Sequence, residues 1–182
     1  NVINKIEDYK MKLIVFLFMS SMILLFILQV STSCQKQDYS ASINPLLDKY
    51  LAAWNSGNLQ ELDAITSEKF ELRMTPDFEP KTGRDLLKKE ITNTRKAFPD
   101  FKITVEKRFF TGDSALVIQW TLTGTNTGKS NMPPTGNKVN VPGFSVIFFA
   151  DNMITGEWIA FSDLMWVSQL GFTLTPPEFN EK

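Results

Sequence analysis

Apolar residues recur at helical spacing in the first part of the folded region and at alternating positions after it. Over residues 43–54 they follow a three-and-one spacing that puts them on one face of a helix. Asn58, with an acidic residue three positions later, resembles a capping box that begins a second, short helix. A third helix is predicted to begin at Thr82 or Gly83 and to end before Pro99.

Beyond residue 100 apolar and polar residues alternate, which is typical of half-buried strands. A long loop is expected at 124–137, a hairpin turn at Asp151 and Asn152, and a terminal helix over 163–170. Three helices and a meander of long strands predict an α+β domain, with the helices packed on one face of a curved antiparallel sheet. The predicted strands cover residues 70–74, 101–105, 116–122, 138–149 and 153–161.

A separate apolar run lies near the start of the chain. Met11 and Lys12 are followed by a nearly unbroken apolar stretch over 13–30 and by the small residues 31–33, directly before Cys34. A positive start, an apolar helix and small residues at a cleavage point are the three parts of a secretory signal. We therefore expect an exported protein whose true start is Met11, with residues 1–10 upstream of it.

Cys34, the only cysteine, resembles the lipidated cysteine that ends the signal segment of bacterial lipoproteins. That resemblance implies cleavage before Cys34, a membrane anchor at the cell envelope, and a tether over 34–42. An uncleaved membrane anchor and simple secretion are the alternatives. The folded domain is expected to span 43–173, with a tail over 174–182.

Composition narrows the chemistry. The 19 basic and 20 acidic residues give a net charge of −1, and no basic cluster points to nucleic acid. Histidine is absent, so any general acid or base must be a carboxylate, lysine, tyrosine or similar group. With one cysteine, no disulfide can form within the chain and no metal site is expected.

Six short strings, in this order, resemble the SnoaL-like polyketide cyclases of the nuclear transport factor 2-like superfamily, and the similarity covers residues 43–173. The strings are YLAAWNSGN at 50–58, FPDF at 98–101, WTLTGT at 120–125, PPTGNKV at 133–139, EW at 157–158 and QLG at 169–171. The resemblance implies a deep cone that holds an apolar or aromatic small molecule. It also implies an intramolecular aldol closure without a cofactor, with an Asp near the end of the last strand as acid and base.

The family's Asp position falls on Ser162 here, and Asp163 is the immediate neighbour. Both are candidate catalytic residues, although Asp163 is also well placed to cap the following helix. Asn126 stands where the family often has His, and it can bind a ligand but cannot titrate in the physiological range.

Four aromatic residues are either ligand contacts or ordinary core: Tyr50, Trp54, Trp120 and Trp158. Glu157 precedes Trp158 and is expected to point to the opposite face of its strand.

Three functions remain open at this point. The domain is a cyclase-like or isomerase-like enzyme, a non-catalytic module that binds a small molecule, or an interaction domain that forms a homodimer through the face of its sheet. Export weighs against the family's founding reaction, because a polyketide cyclase ordinarily works in the cytoplasm beside its synthase.

Overall fold

The computed structural model describes most of the chain after residue 38 and a short part before it. The described residues are 10–13, 15–20, 39–76, 78–112, 114–130, 133–173 and 175. The chain forms two units, residues 1–38 and residues 39–182. The predicted lipidation at Cys34, most of the tether and nearly all of the predicted tail lie outside the described residues.

In the first unit, residues 10–13 and 15–20 are helical and exposed. Across all the residues that the structure describes, no helix is long and apolar enough to cross a membrane.

The second unit is a mixed helical and stranded domain, and its elements are numbered here from its first helix. They are α1 (Ser40–Ser56), α2 (Leu62–Ile65), β1 (Thr66–Met74), β2 (Lys81–Thr82), α3 (Arg84–Ala97), β3 (Lys102–Phe110), β4 (Ala115–Thr125), β5 (Lys138–Ala150), β6 (Met153–Phe161) and α4 (Asp163–Gln169). The α1 helix ends at Gly57, which adopts a left-handed φ of 79° that glycine accepts without a steric penalty.

The six strands form one sheet in the order β2-β1-β6-β5-β4-β3. Strands β3 to β6 are an antiparallel meander, as predicted. The expectation of a wholly antiparallel sheet is wrong, however, because β1 pairs with β6 in the parallel direction. Alternation reveals which residues share a face but not which strands become neighbours, and β1 and β6 lie far apart in sequence.

The core lies between the helices and one face of this sheet. Helix α1 contacts β3, α3 contacts β1, and α4 contacts β5. Fully buried side chains come from both layers: Leu47, Tyr50, Leu87, Ile91, Leu116, Ile118 and Ile147. Burial of each large apolar side chain contributes about 2 kcal/mol, so this layer packing dominates the stability of the domain.

A β-bulge in β6 decides which side chains face the helices. Phe148 pairs with Gly156, whereas the next residue, Phe149, pairs with Ile154, so one extra residue lies on the β6 side. The bulge shifts the alternation by one position. As a result both Ile154 and Glu157, three positions apart, are buried.

Candidate functional site

A cavity of about 440 Å³ lies between the helices and the inner face of the sheet. Its wall takes side chains from α1, α3 and α4 and from most of the strands. Seven of the described lining residues are aromatic: Tyr50, Trp54, Phe98, Phe101, Trp120, Phe161 and Trp166. A mostly apolar hollow with a few polar groups is the usual form of a small-molecule site.

The acidic residue in the described lining is Glu157, which is 5% exposed. The hydroxyl of Tyr50 donates a hydrogen bond of 2.6 Å to Glu157 Oε2. Ser145 is a second hydrogen-bond partner of the carboxyl group. The indole N–H of Trp120 in turn donates to Ser145 Oγ at 2.9 Å. A carboxyl group inside an apolar wall is thus surrounded by a connected set of polar partners.

Burial raises the pKa of Glu157 above its ordinary value of 4.5, because the charged form loses its water. The hydrogen bonds from Tyr50 and Ser145 lower the pKa and oppose part of this change. The net result is a carboxyl that keeps its proton to higher pH than an exposed glutamate does. Carboxyl groups prepared in this way are suited to general acid and base catalysis.

The pKa of Tyr50 is also raised. Burial raises its pKa well above 10.0, and the nearby charge of Glu157 and the hydrogen bond to Glu157 add to the increase. A hydrogen bond from Trp54 acts in the opposite direction. Tyr50 therefore remains a neutral hydroxyl group that donates a proton in hydrogen bonds.

Gly143 makes room for Trp120 in the cavity wall. The two residues are directly opposite each other on β5 and β4. A Cβ at position 143 would overlap the outer ring of the Trp120 indole. The absence of a side chain therefore allows the indole to lie across the neighbouring strand, a pairing that sheets use to cover a glycine.

Three of the four aromatic candidates from the sequence line the cavity: Tyr50, Trp54 and Trp120. Trp158 does not. It is 41% exposed on the outer face of the sheet, where its ring lies 5.1 Å from that of Phe148 and beneath the guanidinium of Arg73. The reason is strand alternation, because the inward position belongs to its neighbour Glu157.

The two candidate catalytic residues at the start of α4 also lie outside the described lining of the cavity. Ser162 is the N-cap of α4, and its Oγ accepts a hydrogen bond of 3.2 Å from the Met165 N–H. Asp163 is the first residue of the helix, where the helix dipole stabilises a negatively charged side chain. The capping role weighed for Asp163 therefore falls to Ser162.

Asn126 is buried and holds a loop rather than lining the cavity. Its side-chain nitrogen donates to the carbonyl of Ala97 at 3.3 Å, and its side-chain oxygen accepts from the Thr135 N–H at 2.8 Å. These bonds fasten the segment before β5 to the end of α3.

Glu157 and Ser145 were not among the site residues predicted from the sequence. The alternation rule did place Glu157 opposite Trp158, but nothing in the sequence marked which of the two faces the helices. One usable signal was a glutamate between apolar neighbours on a strand, since buried carboxyl groups are rare and usually have a purpose. In the part of the chain that the structure describes, no cluster of acidic, cysteine or histidine residues suits a metal ion.

Residues 44–170 match the sequence model of the SnoaL-like polyketide cyclases, and the chain belongs to that family. No curated protein sequence matches the chain.

Solved structures share the fold. A candidate polyketide cyclase from Acidithiobacillus ferrooxidans is 25% identical, with a TM-score of 0.64 over 74% of this chain and 98% of that one. IdmH, a candidate polyketide cyclase from Streptomyces antibioticus, is 22% identical, with a TM-score of 0.60 over 75% of this chain and 100% of that one. A protein with a ketosteroid isomerase-like fold from Catenulispora acidiphila is 18% identical, with a TM-score of 0.60 over 72% of this chain and 97% of that one.

Proposed function

We propose that the domain is an acid–base enzyme of the cyclase or isomerase type that acts on an apolar carbonyl compound without a cofactor. The observation that carries this proposal is the buried carboxyl of Glu157 in the cavity wall, 2.6 Å from the hydroxyl of Tyr50. Membership of the SnoaL-like family supports the same reaction class.

In the proposed reaction the Glu157 carboxylate removes a proton from the carbon next to a carbonyl group. In a cyclase the enolate carbon then attacks a second carbonyl carbon of the same molecule, whose C=O double bond opens to an alkoxide that takes the proton. In an isomerase the double bond shifts, and the proton goes to a different carbon. The protonated Glu157 returns its proton to the product, so the enzyme ends unchanged. Ser145 and Tyr50 hold the carboxyl group in place through their hydrogen bonds, and the aromatic wall holds the flat body of the substrate.

We propose that this chemistry takes place at the cell envelope. Export with lipid attachment at Cys34 is supported by three features: Lys12, the apolar run over 13–30 and the small residues before Cys34. An exported enzyme would meet apolar molecules of the envelope rather than the nascent chains of a cytoplasmic synthase. Labelling of the intact protein by a radioactive fatty acid, lost in Cys34→Ser, tests the anchor.

A second candidate function is self-association through the outer face of the sheet, which would produce a homodimer. Exposed aromatic side chains on that face favour it, since Phe144 is 51% exposed and Trp158 is 41% exposed. Sedimentation of wild type and Phe144→Ser tests this. A dimer that the substitution dissociates supports the interface, and a wild-type monomer rejects it.

The enzymatic proposal is tested with β-tetralone, a flat apolar ketone with an acidic C–H bond. Proton exchange into deuterium oxide, followed by nuclear magnetic resonance, should be faster with the wild-type chain than with buffer. Glu157→Gln should lose at least about a hundredfold of that acceleration, because general base catalysis contributes roughly that factor or more. Binding of the ketone without any exchange would instead support a non-catalytic binding module.

A further inference from the structure

Two lysines stand at the exposed edge of the cavity. Lys96 lies in the last turn of α3, and Lys129 lies in the segment that precedes β5. Both line the cavity and both are exposed, whereas Glu157 in the same lining is buried. The cavity thus has a cationic edge, called the rim here and defined by Lys96 and Lys129, and a buried carboxyl inside.

Close backbone contact brings together the two chain segments that carry the lysines. The Gly128 N–H donates to the carbonyl of Ala97 at 3.0 Å. A Cβ at position 128 would overlap the carbonyl oxygen of Lys96, so only glycine permits this approach. The bond from Asn126 to the same Ala97 carbonyl fixes the segment a second time. Each lysine is therefore adjacent in sequence to a residue of this contact.

Among the described residues, no ion pair neutralises the positive charge of the rim. Arg95 has a structural role, because its guanidinium donates hydrogen bonds to backbone carbonyls that include those of Asn55 at 2.7 Å and Phe101 at 3.0 Å. The ion pairs found among the described residues include neither Lys96 nor Lys129. The described lining contains no acidic residue besides Glu157.

Charge also fixes which end of a ligand can enter. An acidic group near Glu157 would lose its water in the apolar wall, and it would repel the carboxylate form of Glu157 that acts as the base. At the rim the same group would face two ammonium groups and water. An anionic ligand is therefore oriented with its apolar body inside and its acidic group at the rim.

We infer that the natural ligand is an amphipathic organic anion, with a flat apolar body in the cavity and a carboxylate, sulfate or phosphate group held by Lys96 and Lys129. This inference rests on the proposed function, because it assumes that the cavity is the ligand site. It adds that the substrate carries an acidic group remote from the carbon that reacts.

Two probes with a shared body test it on the full chain. Anilinonaphthalene sulfonate is anionic, and N-phenylnaphthylamine is its neutral counterpart. The double variant Lys96→Gln with Lys129→Gln should weaken binding of the sulfonate by roughly tenfold, since each exposed ion pair contributes a small factor. Affinity for the neutral probe should change by less than about twofold.

Matched variants separate the possible failures. The pair Lys89→Gln with Lys107→Gln removes the same charge from exposed lysines outside the described lining, and it should leave sulfonate binding nearly unchanged. An equal loss in both double variants, or an equal loss for both probes, overturns the inference. Loss of sulfonate binding in Phe144→Ser also overturns it, because the probe would then lie on the outer face of the sheet. Failure of the neutral probe to bind the wild type would count against the proposed function itself.

Competition distinguishes a soluble acid from a lipid headgroup. Displacement of the sulfonate by naphthoate supports a soluble organic acid. Displacement by phosphatidylglycerol vesicles and not by naphthoate supports a lipid with the same anionic chemistry. Displacement by neither competitor overturns the inference.

Discussion

The hydroxyl of Tyr50, on the first helix of the domain, donates a hydrogen bond of 2.6 Å to the carboxyl of Glu157, on the last strand. The two residues are 107 positions apart and both are buried. This bond joins the helical layer to the sheet at the cavity wall. It also couples the protonation of the carboxyl group to the packing of α1.

Removal of the tyrosine hydroxyl should change the pH dependence of catalysis. The hydrogen bond from Tyr50 lowers the pKa of Glu157, so Tyr50→Phe should raise that pKa further. The acidic limb of the rate profile for β-tetralone exchange should then move to higher pH, because the base form appears later. Tyr39→Phe, at the start of α1 and outside the described lining, is the control. A limb that moves to lower pH would show that the Tyr50 hydroxyl does not lower the pKa of Glu157.

Glu157→Gln should stabilise the domain increasingly as pH rises. Since burial raises the folded-state pKa above 4.5, the folded wild type holds more protons than the unfolded chain between 4.5 and the raised value. Wild-type stability therefore falls as pH rises through that window, and the variant lacks this loss. Urea unfolding across the window measures the difference, with the exposed Glu68→Gln as control for loss of charge. A difference that stays constant with pH would be inconsistent with a raised pKa.

Gly143→Ala should destabilise the domain because the new methyl group would collide with the Trp120 indole. Overpacking of this kind costs about 1–3 kcal/mol. Trp120→Phe removes the outer ring atoms that the methyl group would meet, so the double variant should be more stable than the sum of the two changes implies. Additive free energies of unfolding in this cycle would show that the two residues do not compete for space.

The start of α4 should affect stability more than activity. Ser162→Ala removes the capping hydroxyl and should cost about 1 kcal/mol of stability. Asp163→Asn should keep the rate of β-tetralone exchange within about twofold of wild type, because Asp163 lies outside the described lining of the cavity. A large loss of rate in Asp163→Asn with unchanged unfolding would restore Asp163 as the catalytic residue.

Periodicity predicted the long helices and strands of the domain, because helical spacing and alternation mark the faces that they bury; it did not predict β2, whose two residues are exposed. The meander from β3 to β6 and the helix after it appear where the alternation and the turn residues place them. The parallel pairing of β1 with β6 was not predictable in this way, since it depends on which strands meet in space.

The candidate site was predicted only in part, because it too depends on how the strands are arranged in space. Tyr50, Trp54 and Trp120 could be chosen as aromatic residues on inward-facing positions. The inward position of Glu157 depends on the bulge in β6. No local residue pattern predicts that bulge. The count from the family's motif led instead to Ser162 and Asp163, which lie at the start of α4 and outside the described lining of the cavity.

The surroundings of the buried Glu157 carboxyl group raise its pKa above the ordinary value of 4.5. Infrared titration of the wild type, with the Glu157→Gln spectrum subtracted, reports the protonation of this group directly. The expected midpoint lies above 4.5 and is unchanged in Asp163→Asn. A midpoint at or below 4.5 would show that burial does not raise the pKa of Glu157.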